Sequence, residues 1–410
     1  MRWLLVTACV AGCYSPKVGD CVVACGKNDS CPPGLTCDNA VCRLPEMVGT
    51  ACSEPADASS TIDINPDDCT WALVSSNFAP ADVPDTSPPA WDVTADETFT
   101  TGGVDGHAVS QTGASPLWIV HKSRFSVAAG ATLTIEGMHP LVIAADEIDI
   151  AGTIVTLNGS GNATCDAEPG APACNNASGG GGGGYGADGG DGGGPPADQG
   201  GAIAGITPSP LRGGCPGAKG GNGQQNATDA TPQLGGSPGA GGGALQLSAR
   251  KTLHITGTIR ANGFAGGPGR SDHAGGNACP GFTGRGSGGG GGGGGGTLLL
   301  ESCAIVIEPS AKLCASGGSG GGGAGGGNTD IGVAGNDGSC DMQAIGGAGE
   351  AAGANGGNGG FDGLPATSGQ QASRGGGGGG GAVGRIHIYQ VSGAPVTAGA
   401  VIRPPANRSQ

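Results

Sequence analysis

Aromatic residues are scarce in this chain, at 3%, and charged residues reach only 12%. The first shortage excludes a large aromatic core, and the second excludes a highly charged disordered chain. Basic residues are the rarer charge, with 18 Lys and Arg against 33 Asp and Glu, so the net charge is −15. Phosphate backbones would be repelled, which excludes nucleic acid as a partner. No apolar run approaches the ~20 residues that span a bilayer, so no transmembrane helix is predicted. The six histidines are scattered, with no HExxH, no Cys/His pair and no paired CxxC. No metal or cofactor site is therefore expected.

Glycine is what the chain has in excess. Gly 93 and Pro 28 in 410 residues reach the proportion at which low complexity is the default. Hydrophobic residues still make up 36%, gathered into short β-branched runs and absent from the glycine tracts. That contrast predicts ordered strands carrying polar excursions.

At the N-terminus, residues 3–10 (WLLVTACV) form an apolar run of signal-peptide kind behind Arg2. The run ends in Val10-Ala11-Gly12-Cys13, which resembles the bacterial lipobox. The resemblance implies that residues 1–12 are a lipoprotein signal peptide and that Cys13 is the lipid-bearing first mature residue. Residue 14 is Tyr, not Asp, so it also implies sorting to the outer membrane, on its periplasmic or cell-surface face.

Sixteen cysteines point to an oxidising compartment. Setting aside Cys9 and Cys13 leaves fourteen, an even number that suits full pairing. Cys21, Cys25, Cys31, Cys37 and Cys42 crowd into CVVACGKNDSCPPGLTCDNAVC, whose spacing resembles the small EGF-like or Dickkopf-like modules of secreted proteins. Residues 13–52 are read as a disulfide module with almost no core. Cys52 with Cys69, and Cys165 with Cys174, are the locally plausible pairs. Residues 53–89 are rich in Pro, Asp, Ser and Ala and read as an acidic spacer, with Cys69 and Trp71 as the place to pin it. From Glu54 to Asp105 there are eleven acidic residues and no Lys or Arg, a solvated block.

The rest of the chain repeats. Residues 140–159, PLVIAADEIDIAGTIVTLNG, hold three short apolar runs, a Gly corner and an Asn-Gly stop. Residues 116–137 align with them: Leu117 on Leu141, Ile119 on Ile143, Phe125 on Ile148, Val127 on Ile150 and Leu133 on Ile154. The unit returns at 244–263, at 297–317 and, shortened, at 382–393, with a weaker copy at 91–101 as a first coil or cap. Three short strands with Gly corners at this period predict a right-handed parallel β-helix over residues 90–410, with Ile150, Ile255 and Ile307 in one column. An antiparallel β-sandwich is the alternative, because periodicity does not fix strand pairing.

The glycine tracts enter at one corner and end before the next first strand, as at residues 241–243, 288–296 and 375–381. They are either flexible loops or polyproline-II-like arms packed side by side, since glycine alone allows backbones so close. Ordered arms are the favoured reading, and nine residues would then extend roughly 28 Å.

Glu147 and Asp149 share a strand face, and β-helix polysaccharide enzymes carry acidic residues on a coil face. The next repeats put Thr252 and His254, then Ala304 and Val306, at those positions, so no carboxylate cluster builds and no catalytic residue is assigned. Asp149 and His254 become neighbours. Residues 183–188 begin like a calcium-binding GGxGxD nonapeptide, but Gly190 replaces the apolar residue and nothing repeats in tandem, so they are read as a turn.

Signal, Cys-rich module, acidic spacer and glycine-interrupted repeats, in that order, resemble glycine-rich, cysteine-containing bacterial surface lipoproteins. The resemblance implies attachment to the membrane through a lipid anchor and no known activity. The expectation is a non-enzymatic structural or adhesive cell-envelope lipoprotein, with polysaccharide or other envelope components as partners. The alternatives are a carbohydrate-active β-helix enzyme (polysaccharide lyase or hydrolase) and a polysaccharide- or cation-binding module.

Overall fold

The computed structural model describes residues 36–38, 41–43, 45, 69–83, 88–157, 167, 169–170, 177–194, 200–202, 209–223, 234–271, 286–325, 330–391, 394–397 and 399–409. Two compact units divide the chain between Thr61 and Ile62. In the first, β1 (Thr36–Asp38) and β2 (Val41–Arg43) form an antiparallel hairpin with Cys37 opposite Cys42. Cys37 is disulfide-bonded. Cys13, Cys21, Cys25, Cys31, Cys52, Cys165 and Cys174 lie outside the described residues.

The second unit is nearly all β. In chain order its strands are β3 (Trp91–Val93), β4 (Glu97–Thr100), β5 (His107–Val109), β6 (Leu117–Val127), β7 (Thr132–Glu136), β8 (Leu141–Ile150) and β9 (Thr153–Thr156). They continue as β10 (Ala244–Ile255), β11 (Thr258–Arg260), β12 (Arg270–Ser271), β13 (Thr297–Ile307), β14 (Lys312–Cys314), β15 (Asp330–Ile331), β16 (Arg385–Gln390), β17 (Val401–Arg403) and β18 (Asn407–Ser409). One sheet has the order β18-β16-β13-β10-β8-β6-β3, and a second runs β17-β14-β11-β9-β7-β4. Pairing along both orders is parallel. The antiparallel sandwich is thereby excluded; β5 alone joins the larger sheet antiparallel, on β6.

The apolar runs set these pairings. Val127, Ile150, Ile255 and Ile307 are successive partners across four strands, all buried, and Phe125, Ile148, Leu253 and Ile305 form the next row. In the smaller sheet buried Leu133, Ile154, Ile259 and Leu313 do the same, and the row ends on half-buried Ile402. Both sets of rows belong to one core between the sheets. At the shared Ile-x-Gly-Thr-Ile turn, a Cβ on Gly257 would lie 2.0 Å from the Gly152 carbonyl, so glycine is required where the turns meet.

Three expectations need correction. The first two apolar runs of each repeat merge into one long strand, so each repeat has two strands rather than three; in β10 the junction is a register irregularity between Ala249 and Thr252. The register at the start of β6 is also one residue different: Trp118 pairs with Leu141 and Val120 with Ile143. Leu117 and Ile119 instead point to the outer face of the sheet, where they pack with Val142 and Ala144. Because that face is buried too, alternation of polarity does not select between registers there.

The third correction concerns the spacer. Residues 69–83 are not extended chain but fold onto the outer face through a short helix, α1 (Trp71–Val74), and a 3-10 turn at Pro80–Asp82. Trp71, Val74, Phe78 and Val83 are buried there. Cys69 is accordingly bonded to Cys303 of β13 and not to Cys52. Ser75 closes the helix, its backbone N–H and its hydroxyl both donating to the Trp71 carbonyl.

The glycine tracts form an ordered bundle. In residues 288–296 the N–H groups point three ways with a period of three, the repeat of a polyproline-II-type helix. Gly288, Gly291 and Gly294 donate to Gly221, Ala218 and Cys215; Gly289, Gly292 and Gly295 donate to Gly376, Gly379 and Ala382; Gly290, Gly293 and Gly296 donate to Gly267, Phe264 and Ala261. The carbonyls of this tract accept from three further segments, through Gly236, Gly239 and Gly242, through Gly180 and Gly183, and through Gly321 and Gly318. These bonds span 2.7–3.0 Å. Six backbones thus surround one.

Residues 375–382 have the same six-fold surroundings, donating to segments around Gly180, Gly321 and Gln370 and accepting from those around Gly292, Gly357 and Gly190. In the neighbouring tract, fully buried Ser319 takes a position where its hydroxyl accepts from Asn336 N–H at 2.6 Å and donates to the Ile345 carbonyl at 2.7 Å. The bundle therefore satisfies its buried peptide groups with other peptide groups, as buried backbone must.

Candidate functional site

Four places on the second unit gather chemically distinctive side chains. The predicted pair Glu147 and Asp149 lies on β8, in register with Thr252 and His254 of β10 and then with Ala304 and Val306 of β13. Asp149 Oδ1 is 3.1 Å from His254 Nδ1, and Glu308 Oε1 is 3.6 Å from His254 Nε2. All three side chains are exposed, an arrangement of surface polar contacts worth little individually. Among the described residues, no three His, Cys, Asp or Glu side chains gather as a metal site.

A cavity of about 80 Å³ opens beside β3 and β6, lined by Trp91, Glu97, Phe99, Asp105, Val120 and Lys122. β3 covers only Phe125 to Val127 of β6, and β5 covers Leu117 to Ile119, so the gap between them leaves Val120 and Lys122 as its floor and side. The Trp91 and Phe99 rings meet at a tilt of 45°, with their centroids 5.1 Å apart. An aromatic wall with carboxylates and an ammonium beside it suits a sugar ring, whose apolar face packs on the aromatic while its hydroxyls find polar partners. Next to it, Asp92 bonds the Ser126 hydroxyl at 2.6 Å and Arg124 Nη2 at 2.9 Å, and those bonds hold its carboxyl below the usual range.

The third place joins the bundle to the larger sheet. The buried Tyr185 hydroxyl lies 2.6 Å from Thr297 Oγ1, which donates to the Arg212 carbonyl at 2.6 Å. Arg385 places its guanidinium over the Tyr185 ring at 5.0 Å and donates to the Tyr185 carbonyl at 3.1 Å. Burial pushes the Tyr185 phenol up and the Arg385 guanidinium down. Burial, and then the charge of Arg385, lowers His387, which keeps that imidazole neutral near pH 7.

The fourth is a buried polar cluster under residues 75–78. Glu301 of β13, fully buried, accepts from Gln246 Nε2 at 2.7 Å and from Ser248 Oγ at 2.8 Å. Asn77 Nδ2 donates to Gln246 Oε1 at 3.0 Å, and Ser76 lies beside the carboxyl, whose buried Oε1 accepts no hydrogen bond among the described residues. Burial pushes Glu301 up to about 7, against the lowering effect of those bonds. Sequence reasoning passed over this group. Its signal is a single acid inside the otherwise apolar run TLLLESC.

No protein-family model, no curated protein and no solved structure matches the chain. Among the described residues, no helix is long and apolar enough to cross a membrane.

Proposed function

We propose that this protein is a non-enzymatic structural or adhesive lipoprotein of the cell envelope, anchored to the outer membrane through Cys13. Its repeats wind as a right-handed parallel β-helix, each turn contributing one strand to each sheet and sending its glycine tracts into the bundle. The observation that carries this reading is the bundle itself. A scaffold cross-linked by backbone hydrogen bonds in six directions is rigid without depending on side chains, which leaves its rim free for display.

A second reading, a polysaccharide-binding module, draws on the Trp91 cavity, which has the wall and polar partners for one sugar unit. It is compatible with adhesion and names what would be held.

Cells producing the wild-type protein are expected to incorporate radiolabelled fatty acid into it, and Cys13→Ala is expected to abolish the label. A wild type without label ends the anchor. Cells lacking the protein are expected to lose surface attachment or envelope integrity; normal behaviour in both assays overturns the adhesive and structural role together.

A further inference from the structure

Residues 69–83 cross the outer face of β10 and β13 as a strap. One end is covalent, through Cys69–Cys303. The remainder is held by Trp71, Val74, Phe78 and Val83 against Leu117, Ile119, Val142, Ala144 and Leu299. Between these fastenings the strap seals Glu301 from water, and the groups bonded to its carboxyl, Gln246 and Ser248, are neutral, as is Ser76 beside it. A carboxylate enclosed in this way, with no cation paired to it, is costly to ionise.

The charged and titratable groups on the surrounding elements do not offset it. On β10, Arg250 is paired with Asp146 of β8 at 2.7 Å, His254 with Asp149, and Lys251 lies near the same bend. β16 carries Arg385, His387 and Tyr389, with Tyr389 in register with Glu301. His121 of β6 meets the edge of the Trp71 ring at 6.0 Å. The strap has no Lys, Arg or His and a single acid, Asp82. None of these charges is among the causes that set Glu301; burial comes first, followed by the neutral hydrogen bonds.

We propose that the strap is a pH-gated latch: it is docked while Glu301 is protonated, lifts when Glu301 ionises, and stays tethered through Cys69–Cys303. Lifting hydrates the carboxylate and uncovers the apolar strip formed by Ile119, Val142 and Leu299.

The direction follows from linkage. Docked, Glu301 holds its proton to about pH 7, against an ordinary value of 4.5. Docking is therefore strongest at low pH and weakens as pH rises between those values, with no further loss above them. If the lifted strap restores the ordinary value, the opening equilibrium grows about 30-fold from pH 5.5 to 8.5.

Hydrogen–deuterium exchange of the amides of residues 71–78, corrected for intrinsic rates, reads this opening in the non-reduced full chain. The wild type is expected to lose protection about 30-fold across that range. Glu301→Gln is expected to keep its protection nearly constant, with Glu301→Met as the substitute if the amide variant fails to fold. The latch is overturned by constant wild-type protection, which needs no variant, or by the wild-type pH response persisting in the uncharged variant.

Discussion

Gly291→Ala is expected to destabilise the protein by about 3 kcal/mol or more, read as a fall in the urea midpoint. Backbone conformation alone points the other way. Gly291 does not have a positive φ, and alanine at such a position ordinarily stabilises by about 0.4–1 kcal/mol through the unfolded chain. Space decides the sign. The new methyl carbon would sit 2.0 Å from the Gly181 carbonyl oxygen, and that oxygen already accepts from Ala218 N–H. Gly291 in turn donates to Ala218 and accepts from Gly239. No flexible side chain can yield, so relief requires moving a backbone and stretching several of these bonds, each worth about 0.5–1.5 kcal/mol net. The control is Lys219→Ala on the exposed side of the 215–221 segment, expected to change stability by less than about 0.5 kcal/mol. If Gly291→Ala is as stable as the control, the six-neighbour packing is wrong.

Removing the Cys69–Cys303 bridge, as Cys69→Ala with Cys303→Ala, is expected to cost about 2–5 kcal/mol. The bridge spans 234 residues, and in the chain-entropy account alone its stabilisation is about 5.5 kcal/mol, the upper end of that range. Cys314–Cys340 spans 26 residues and provides an internal comparison. All four cysteines are buried, so burial does not distinguish the pairs. The logarithmic dependence on loop length makes the shorter bridge weaker by about 2 kcal/mol. Urea unfolding of the two paired variants measures the difference. Equal losses contradict the loop-entropy origin.

The parts of this fold that could be read in advance are those where one physical requirement acts alone. Phe125, Val127, Ile148 and Ile150 face a single core, so their alternation gave the observed register, and His254 landed beside Asp149 for the same reason. At Leu117 and Ile119 the sheet is buried on both faces, and the pattern became ambiguous by one residue. Pinning at Cys69 and Trp71 was expected, but the folded course of the strap to Val83 was not, because its buried residues are few and sit in an acidic, Pro-rich context. Trp71, Val74 and Phe78 do carry helical spacing, and that was the available signal. Cys303 could not be chosen as the partner of Cys69 across 234 residues without knowing that the strap returns to the sheet.

Glycine spacing also encodes position in the bundle. Segments with glycine at every third residue, such as Gly214, Gly217 and Gly220 or Gly332, Gly335 and Gly338, press one face inward. The uninterrupted run at 288–296 belongs to a segment enclosed on all sides. The buried Glu301 obeys neither rule; its one signal is that it stands as a single acid inside an apolar run.

The two halves of this unit answer temperature differently. Unfolding the sheets exposes apolar side chains, which raises the heat capacity, whereas unfolding the bundle exposes mainly peptide groups, which lowers it. The bundle therefore reduces the heat-capacity change of the whole and flattens the curve of stability against temperature. Cooling weakens the attraction between the isoleucine rows, and the flatter curve limits how much stability is lost.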